Sequence, residues 1–579
     1  MTTDRALGFG SLDPDTDEVS TTLPVEGDLP AWLSGTLIRN GPGTFAIGDG
    51  REVGHWFDGL AMVHAFSFGS DGDREGDERR GADDSDEDEI RYASRFLETD
   101  AYRAARAGDF GGGFATGETT LRDRLKAFIF GDAYDNTNII AERVGRKYLA
   151  LTESPRWVEF DPRSLETVGD VQYDGPEPSG QLACAHMQRD PWTDRLVNFE
   201  IEFGRTSSYH VYEMRRPNRR RHVVSIPVSE PAYMHSFALT DGFVVLTEFP
   251  LVVDPSKALR PGTQGPFIEN FEWVPERGTR FYVIDRDLGE VVATPRTDPL
   301  FGFHHVNAYE AGVDDGSPGE SAEGGTNGDD GTNGENGTTV EAEANATDGY
   351  GPHELVIDLE TVPDAESLGA SSLSNLREGD LNIPGGAIER FRVRIDGRAN
   401  ASVDREEIHP GATGLPTASP ARWCREYRYA YAQGGDQPMT DWLRAVVKLD
   451  VETGEVVEFT DGGNYLSEPI FVPRPDPGES NESNGSKESN ELNGLGRVGR
   501  SDDRMGGADN DFRGRFPVRS GGRDHPEDNG VVLAVSLDTD AERSSLLCLD
   551  AETMTERARA PVPHAIPFGF HGRYFPEFG

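Results

Sequence analysis

The chain has 579 residues, of which 103 are acidic and 56 are basic, so its formal net charge is −47. This excess argues against nucleic acid as a partner, because duplex binding depends on basic groups that neutralise phosphates. The acidic residues are spread over the whole chain and do not form a tail. They predict a halophilic protein in a salty cytoplasm, where screening shortens charge repulsion to a few ångströms.

The beginning of the chain has no basic segment followed by an apolar run, so no signal peptide is expected. No uncharged apolar run approaches the roughly 18 residues of a spanning helix. The cysteines Cys184, Cys424 and Cys548 are too few and too scattered for a disulfide framework, and we expect them to be buried. These features predict a soluble cytoplasmic protein, with peripheral contact to a membrane surface as the alternative.

Three polar stretches interrupt the chain at residues 70–89, 311–348 and 473–529. They consist mainly of Gly, Asp, Glu, Asn, Ser and Arg, and such compositions bury too little apolar surface to offset the entropy of ordering. The flanks of each stretch have the pattern of strands. We therefore interpret them as insertions within a single domain that spans residues 1–579.

The remaining sequence is typical of β-strands that alternate with tight turns. A weak repeat recurs four times, in which an apolar strand ends in an aspartate and a charged strand returns. Its aspartates are Asp161, Asp285, Asp450 and Asp550. This pattern predicts hairpins of the kind that build propeller blades, although four copies do not fix the number of blades. Residues 121–130 have the clearest helical pattern.

Four of the 13 histidines lie in distinctive strings at predicted strand ends, and they are His186, His235, His304 and His571. They stand 49, 69 and 267 residues apart along the sequence, which is too far for a local zinc finger. In a propeller, however, the inner strands of successive blades all face one axis. Four neutral imidazoles there would suit a first-row metal with positions left open for O2.

Carboxylates in apolar strings form a second candidate set, because a ligand imidazole needs an acceptor at its other ring nitrogen. The three candidates are Glu153, Glu407 and Glu468. Burying a carboxylate costs several kcal/mol unless it is paired. The alternative interpretation of each is an ordinary surface residue.

Several of these strings resemble those of the carotenoid cleavage oxygenases, in the family's order from about residue 27 to residue 576. The similar strings are residues 39–43, 57–59, 234–237, 303–310, 467–472 and 569–572. The resemblance implies an all-β fold, a seven-bladed β-propeller with a dome of loops and short helices over an axial Fe(II). It assigns the iron ligands to His186, His235, His304 and His571, and their acceptors to Glu153, Glu407 and Glu468.

At two positions this assignment of site residues has more than one candidate. At the double histidine we select His304 over His305, since some branches of the family keep only the first. At Glu407 the family usually places a proline two residues later, whereas Pro410 follows here by three, so Glu406 competes with Glu407.

Strings at residues 96–102, 134–138 and 427–432 are more similar to the animal β-carotene oxygenase and retinoid isomerohydrolase branch. The resemblance implies that O2 and a carotenoid are the substrates, with β-carotene cut to retinal, and that Phe114 and Thr152 line the cleft. Alternatives are a stilbene-type or apocarotenoid-cleaving dioxygenase, an isomerohydrolase, and a propeller that only binds carotenoid. Residues 121–130 would contact the membrane or, equally, pack as a dome helix.

Overall fold

The computed structural model describes residues 4–69, 89–110, 135–173, 180–255, 267–312, 352–379, 381–383, 385–397, 400–475, 526–576 and 578. Most of each predicted insertion (70–89, 311–348 and 473–529) lies outside the described residues, as do Phe114 and the predicted helix 121–130. The strands on either side of each insertion pair with each other, as expected for one continuous domain.

Seven antiparallel sheets form the blades of a β-propeller, and the predicted fold class is confirmed. The first four blades consist of these strands, numbered along the chain: β1 (Ser20–Pro24), β3 (Gly35–Thr44), β4 (Leu60–Phe68), β5 (Glu89–Phe96) and β35 (Gly572–Phe575); β6 (Ile140–Val144), β7 (Lys147–Leu151), β8 (Val158–Phe160) and β9 (Thr167–Asp170); β10 (Leu182–Ala183), β11 (Gln188–Arg189), β12 (Leu196–Glu202), β13 (Ser207–Arg216) and β14 (Arg219–Val228); β15 (Ala238–Leu239), β16 (Phe243–Glu248), β19 (Thr279–Asp285), β20 (Glu290–Ala293) and β21 (Arg296–Thr297).

The other three blades follow the same plan, and their strands are: β22 (Phe301–Ala311), β23 (His353–Val362), β24 (Ala387–Ile395) and β25 (Ala401–His409); β26 (Ala412–Ala418), β27 (Tyr429–Gly435), β28 (Ala445–Asp450) and β29 (Val456–Thr460); β2 (Glu26–Gly27), β30 (Tyr465–Leu466), β31 (Ile470–Pro473), β32 (Gly530–Asp538), β33 (Arg543–Asp550) and β34 (Thr555–Pro561). A separate two-stranded sheet joins β17 (Leu251–Val253) to β18 (Phe271–Trp273).

The repeated aspartates begin the turns between outer strands, as the sequence repeat predicts. Asp161 Oδ1 accepts hydrogen bonds from the backbone N–H groups of residues 163 and 164, between β8 and β9. Asp285, Asp450 and Asp550 accept equivalent bonds at the turns that follow β19, β28 and β33. Such hydrogen bonds join residues that are close in sequence and stabilise a tight turn, so the position of each turn can be predicted from the local sequence.

The ring closes at both ends of the chain. Near the C-terminus, β35 pairs antiparallel with β3, with Arg39 opposite Gly572. Near the N-terminus, β2 pairs with β34 of the last blade, with Glu26 opposite Arg559. The first and last blades are therefore each completed by a strand from the other end of the sequence.

Short helices and aromatic side chains cover one end of the ring. The helices at this end are α1 (Asp100–Arg106), α2 (Glu366–Ala370), α3 (Leu373–Glu378) and the 3-10 helices Asp4–Phe9, Trp56–Asp58, Phe267–Asn270 and Pro275–Arg277, whereas the 3-10 helix Pro420–Arg422 follows β26 at the other end. An aromatic cap, which we define as Phe9, Trp56, Trp442, Phe568 and Phe570, packs here with ring centroids 4.5–6.1 Å apart. None of the described helices is long and apolar enough to cross a membrane.

Deleting residues 316–347 should leave the melting temperature nearly unchanged. Ala311 and Glu354 are already opposite each other in the β22–β23 ladder, so a short link between them suffices. Calorimetry of the shortened chain checks this. Loss of folded protein would show that the deleted segment is needed by the propeller.

Candidate metal centre

Four histidine side chains meet on the propeller axis. His186 lies between β10 and β11, His235 just before β15, His304 within β22 and His571 just before β35. One ring nitrogen of each lies within 4.8 Å of those of the other three. The Nε2 atoms of His186 and His235 are 2.9 Å apart, and His304 Nε2 is buried with no hydrogen-bond partner among the described residues. The structure thus brings together all four predicted ligands.

The neighbouring His305 points away from this cluster. Its Nδ1 lies 2.7 Å from the hydroxyl of Ser236, and its Nε2 lies 2.9 Å from the hydroxyl of Thr247. Successive residues on a strand face opposite sides. The selection of His304 over His305 therefore agrees with the geometry.

Three of the four rings are held at Nδ1 by a carboxylate. His235 Nδ1 is 2.6 Å from Glu153, and His571 Nδ1 is 2.8 Å from Glu468, as predicted. His304 Nδ1 is 2.8 Å from Glu360 Oε2, a residue that the sequence reasoning did not select. With Nδ1 engaged, each ring presents Nε2 to the axis.

The prediction for Glu407 is wrong, and so is its alternative Glu406. Both are exposed on β25, the outermost strand of the fifth blade, where no imidazole of the centre reaches. Glu360 lies on β23, directly beside the strand that carries His304. It stands in the apolar run 355–362 and meets the same criterion as Glu153 and Glu468, so this signal was present in the sequence.

The three carboxylates differ in the groups that form hydrogen bonds or ion pairs with them. Glu468 receives the Arg39 guanidinium at 3.3 Å and the backbone N–H of Gly572 at 2.6 Å. Glu153 accepts hydrogen bonds from the Tyr233 hydroxyl at 2.8 and 3.0 Å. Within the described part of the chain, Glu360 has only His304 as a partner, and burial raises the pKa of Glu360 to about 8.

Burial keeps three imidazoles of the cluster neutral, those of His186, His304 and His571. Burial lowers the pKa of His186 and of His304 well below the ordinary value, and the neighbouring histidines lower both further. Burial also lowers the pKa of His571, although Glu468 opposes the shift. Neutral imidazoles keep the lone pair that a metal ion needs.

The donor set fits a first-row transition metal. Four imidazole nitrogens converge, and three of the rings have their other nitrogen fixed by a carboxylate. Among the described residues, His304 Nε2 has no hydrogen-bond partner, so a metal ion could bind it without breaking a hydrogen bond. Four protein ligands leave positions open for exogenous molecules. Of the two predicted cleft residues, Phe114 lies outside the described residues, and Thr152 is buried beside Glu153.

A propeller with an all-histidine axial centre backed by carboxylates is the architecture of a non-haem metalloprotein. A sequence model of the family described as "Retinal pigment epithelial membrane protein" matches residues 12–576. The chain therefore belongs to this family, that of the carotenoid cleavage oxygenases, and the membership expected from the sequence strings is confirmed.

Named relatives from plants, fungi and animals are about equally similar. The chain is 28% identical to rice "Carotenoid cleavage dioxygenase 8 homolog A, chloroplastic" over 96% of this chain and 85% of that protein. It is 27% identical to Neurospora crassa "Carotenoid dioxygenase" (96% and 88%) and 26% identical to rat "Beta,beta-carotene 15,15'-dioxygenase" (96% and 89%). These identities do not separate the branches, so the assignment to the animal branch stays a prediction.

Solved structures agree with the fold. A cobalt-substituted Synechocystis ACO has a TM-score of 0.69 at 23% identity, covering 99% of this chain and 98% of that one. An ACO/RPE65 chimera has a TM-score of 0.70 at 22% identity, with the same coverage.

Replacing Glu360 by Gln should weaken metal retention by about 10–100-fold, because the terminal amide can turn its NH2 group towards Nδ1 and so orients the His304 ring less firmly. The matched control is Glu407→Gln, an exposed glutamate on the same blade, which should behave like the unmodified protein. Metal competition titrations with a chelator measure both. Equal losses in the two variants, or a loss only at Glu407, would contradict the assignment of Glu360.

Proposed function

We propose that the chain is an Fe(II)-dependent dioxygenase that cleaves a conjugated double bond of a carotenoid, and that β-carotene, cut to retinal, is its substrate. The observation that carries the proposal is the axial histidine quartet with its three carboxylates, in a chain that matches the family model over residues 12–576. Relatives named as carotenoid dioxygenases support the oxygenase class.

His186, His235, His304 and His571 would hold the iron, and Glu153, Glu360 and Glu468 would hold three of the rings in place. When bound, Fe(II) would supply the activation of O2 that addition across a double bond requires. The protein's own contribution is to fix the rings and to place one bond of the polyene beside them.

Aromatic side chains on the cap side of the centre provide the apolar surface that a polyene needs. The Phe303 ring lies 5.4 Å from the His235 ring and 6.0 Å from the His304 ring, between centroids. Phe57 and Phe570 pack 5.8 Å apart beside the cap. Apolar and aromatic walls with few polar groups are typical of sites for apolar ligands, so we place the carotenoid on this side.

Incubating the Fe(II) enzyme with β-carotene in detergent under O2 should give retinal, seen by chromatography. Without O2 no product should form, and labelled O2 should label the new carbonyls, allowing for exchange with water. Long apocarotenals without retinal would keep the dioxygenase but reject central cleavage. Turnover of a retinyl ester without O2 would instead favour an isomerohydrolase.

The protein is proposed to work in a salty cytoplasm, in peripheral contact with the membrane that holds its substrate. With a net charge of −47, it should be repelled by anionic lipid in dilute buffer. Salt screens that repulsion, whereas apolar insertion persists. Co-sedimentation with anionic vesicles should therefore increase as KCl is raised. Vesicle binding that falls with KCl, or protein that unfolds in it, would contradict this placement.

A further inference from the structure

A cavity of about 300 Å³ begins at the metal centre and runs along the propeller axis. His186, His304, His571 and Glu468 form its inner end. All seven innermost strands contribute to its wall, and one residue from each is Ile140 (β6), Gln188 (β11), Ala238 (β15), Ala308 (β22), Thr417 (β26), Ile470 (β31) and Gly572 (β35). We call this cavity the axial channel.

The axial channel leaves the centre on the side opposite the aromatic cap. Much of its wall consists of residues that follow the site residues in sequence, namely 187–189, 236–239, 305–308, 470–473 and 572–574. The residues that precede the histidines, including Phe303 and Phe570, do not line it. From His304 to Ala308 the strand advances about 13 Å. The channel therefore gives a second approach to the same four rings.

The outer end of the channel is open to solvent. Trp32, Trp423 and five prolines surround it, and the prolines are Pro416, Pro420, Pro473, Pro475 and Pro576. Pro420, Pro475 and Pro576 are exposed. Proline fixes φ and lacks an N–H, so these five positions have a restricted backbone and offer no backbone donor.

Asn307 fixes one side of this opening. Its amide donates to the carbonyl oxygens of Arg422 and Arg425 at 2.9 and 3.0 Å, and its Oδ1 accepts from the N–H of Cys424 at 3.0 Å. These three bonds hold the segment that carries Trp423. This side of the opening is thus part of the folded structure.

The wall has no uncompensated charge among the described residues. Arg189 pairs with Glu142 and with Asp194, both at 2.6 Å, and Arg573 pairs with Glu142 at 3.1 Å. The residues that line the bore include small ones such as Ala238 and Ala308 and polar ones such as Ser236 and Thr417. A neutral bore with intermittent polar groups suits small neutral molecules better than ions or a long polyene.

We propose that the axial channel is a second entrance, through which O2 and water reach the metal centre while the carotenoid lies on the cap side. The role of O2 rests on the proposed function, in which two substrates of very different size must reach the same four rings. Separate entrances let the small one arrive after the polyene has filled the other side.

The first test measures access without measuring activity. In a full-length Cys424→Ala background, which removes the thiol lining the channel, Ala308→Cys places a probe in the wall. Ala65→Cys is the matched control, since Ala308 and Ala65 are 2% and 5% exposed but only Ala308 lines the channel. Methyl methanethiosulfonate should label the cysteine at 308 about tenfold faster or more, because the control reacts only through local opening.

Equal labelling rates would overturn the proposal, because they would mean that the channel is closed to small molecules in solution. If Ala308→Cys does not fold, Ala238→Cys on the fourth blade provides a second probe in the same wall.

The second test narrows the bore. Ala308→Leu, or Ala238→Leu if the first does not fold, should raise the KM for O2 severalfold and leave the KM for β-carotene unchanged. An unchanged KM for O2 would overturn the proposal. A fall in kcat at saturating O2 with the KM for O2 unchanged would also overturn the proposal, because this result would indicate that the channel serves the release of products. Absence of any O2-dependent turnover in the unmodified enzyme would reject the proposed function itself, while the labelling rates would still report whether the channel is open.

Discussion

The hydrogen bonds from His235, His304 and His571 to Glu153, Glu360 and Glu468 are the interactions on which the centre depends. Four imidazoles within 4.8 Å of one another are stable only if they are neutral and turned with their lone pairs towards a common point. A carboxylate at Nδ1 sets that orientation for three of the four. Because burying a carboxylate costs several kcal/mol unless it is paired, the centre in turn requires the groups that surround each glutamate.

The groups that surround Glu468 also take part in closing the ring of blades. Arg39, on β3, reaches Glu468 of the last blade, and the N–H of Gly572 on β35 donates to the same carboxylate. The pairing of β3 with β35 also places His571 immediately before the closing strand. The contacts that close the propeller therefore also support the site, which explains why ligands 385 residues apart, His186 and His571, reach the same point.

Local chemistry made much of this structure predictable. The turns at Asp161 and Asp450 follow from side-chain bonds within a few residues, and the histidine strings identified the quartet before its geometry was known. Glu360 met the same sequence criterion as Glu153 and Glu468, but only the pairing of β22 with β23 shows that it lies beside His304. The axial channel also escaped sequence reasoning, since all seven inner strands contribute to its wall.

Metal analysis of the purified protein tests the central claim, that the quartet is an iron site, most directly. Protein loaded with Fe(II) should hold about one iron per chain. His235→Ala should lose it, and His305→Gln should keep it, because the ring of His305 faces Ser236 and Thr247 instead of the axis. Iron retained by His235→Ala, or stoichiometric zinc in a protein that takes up no iron, would contradict the account.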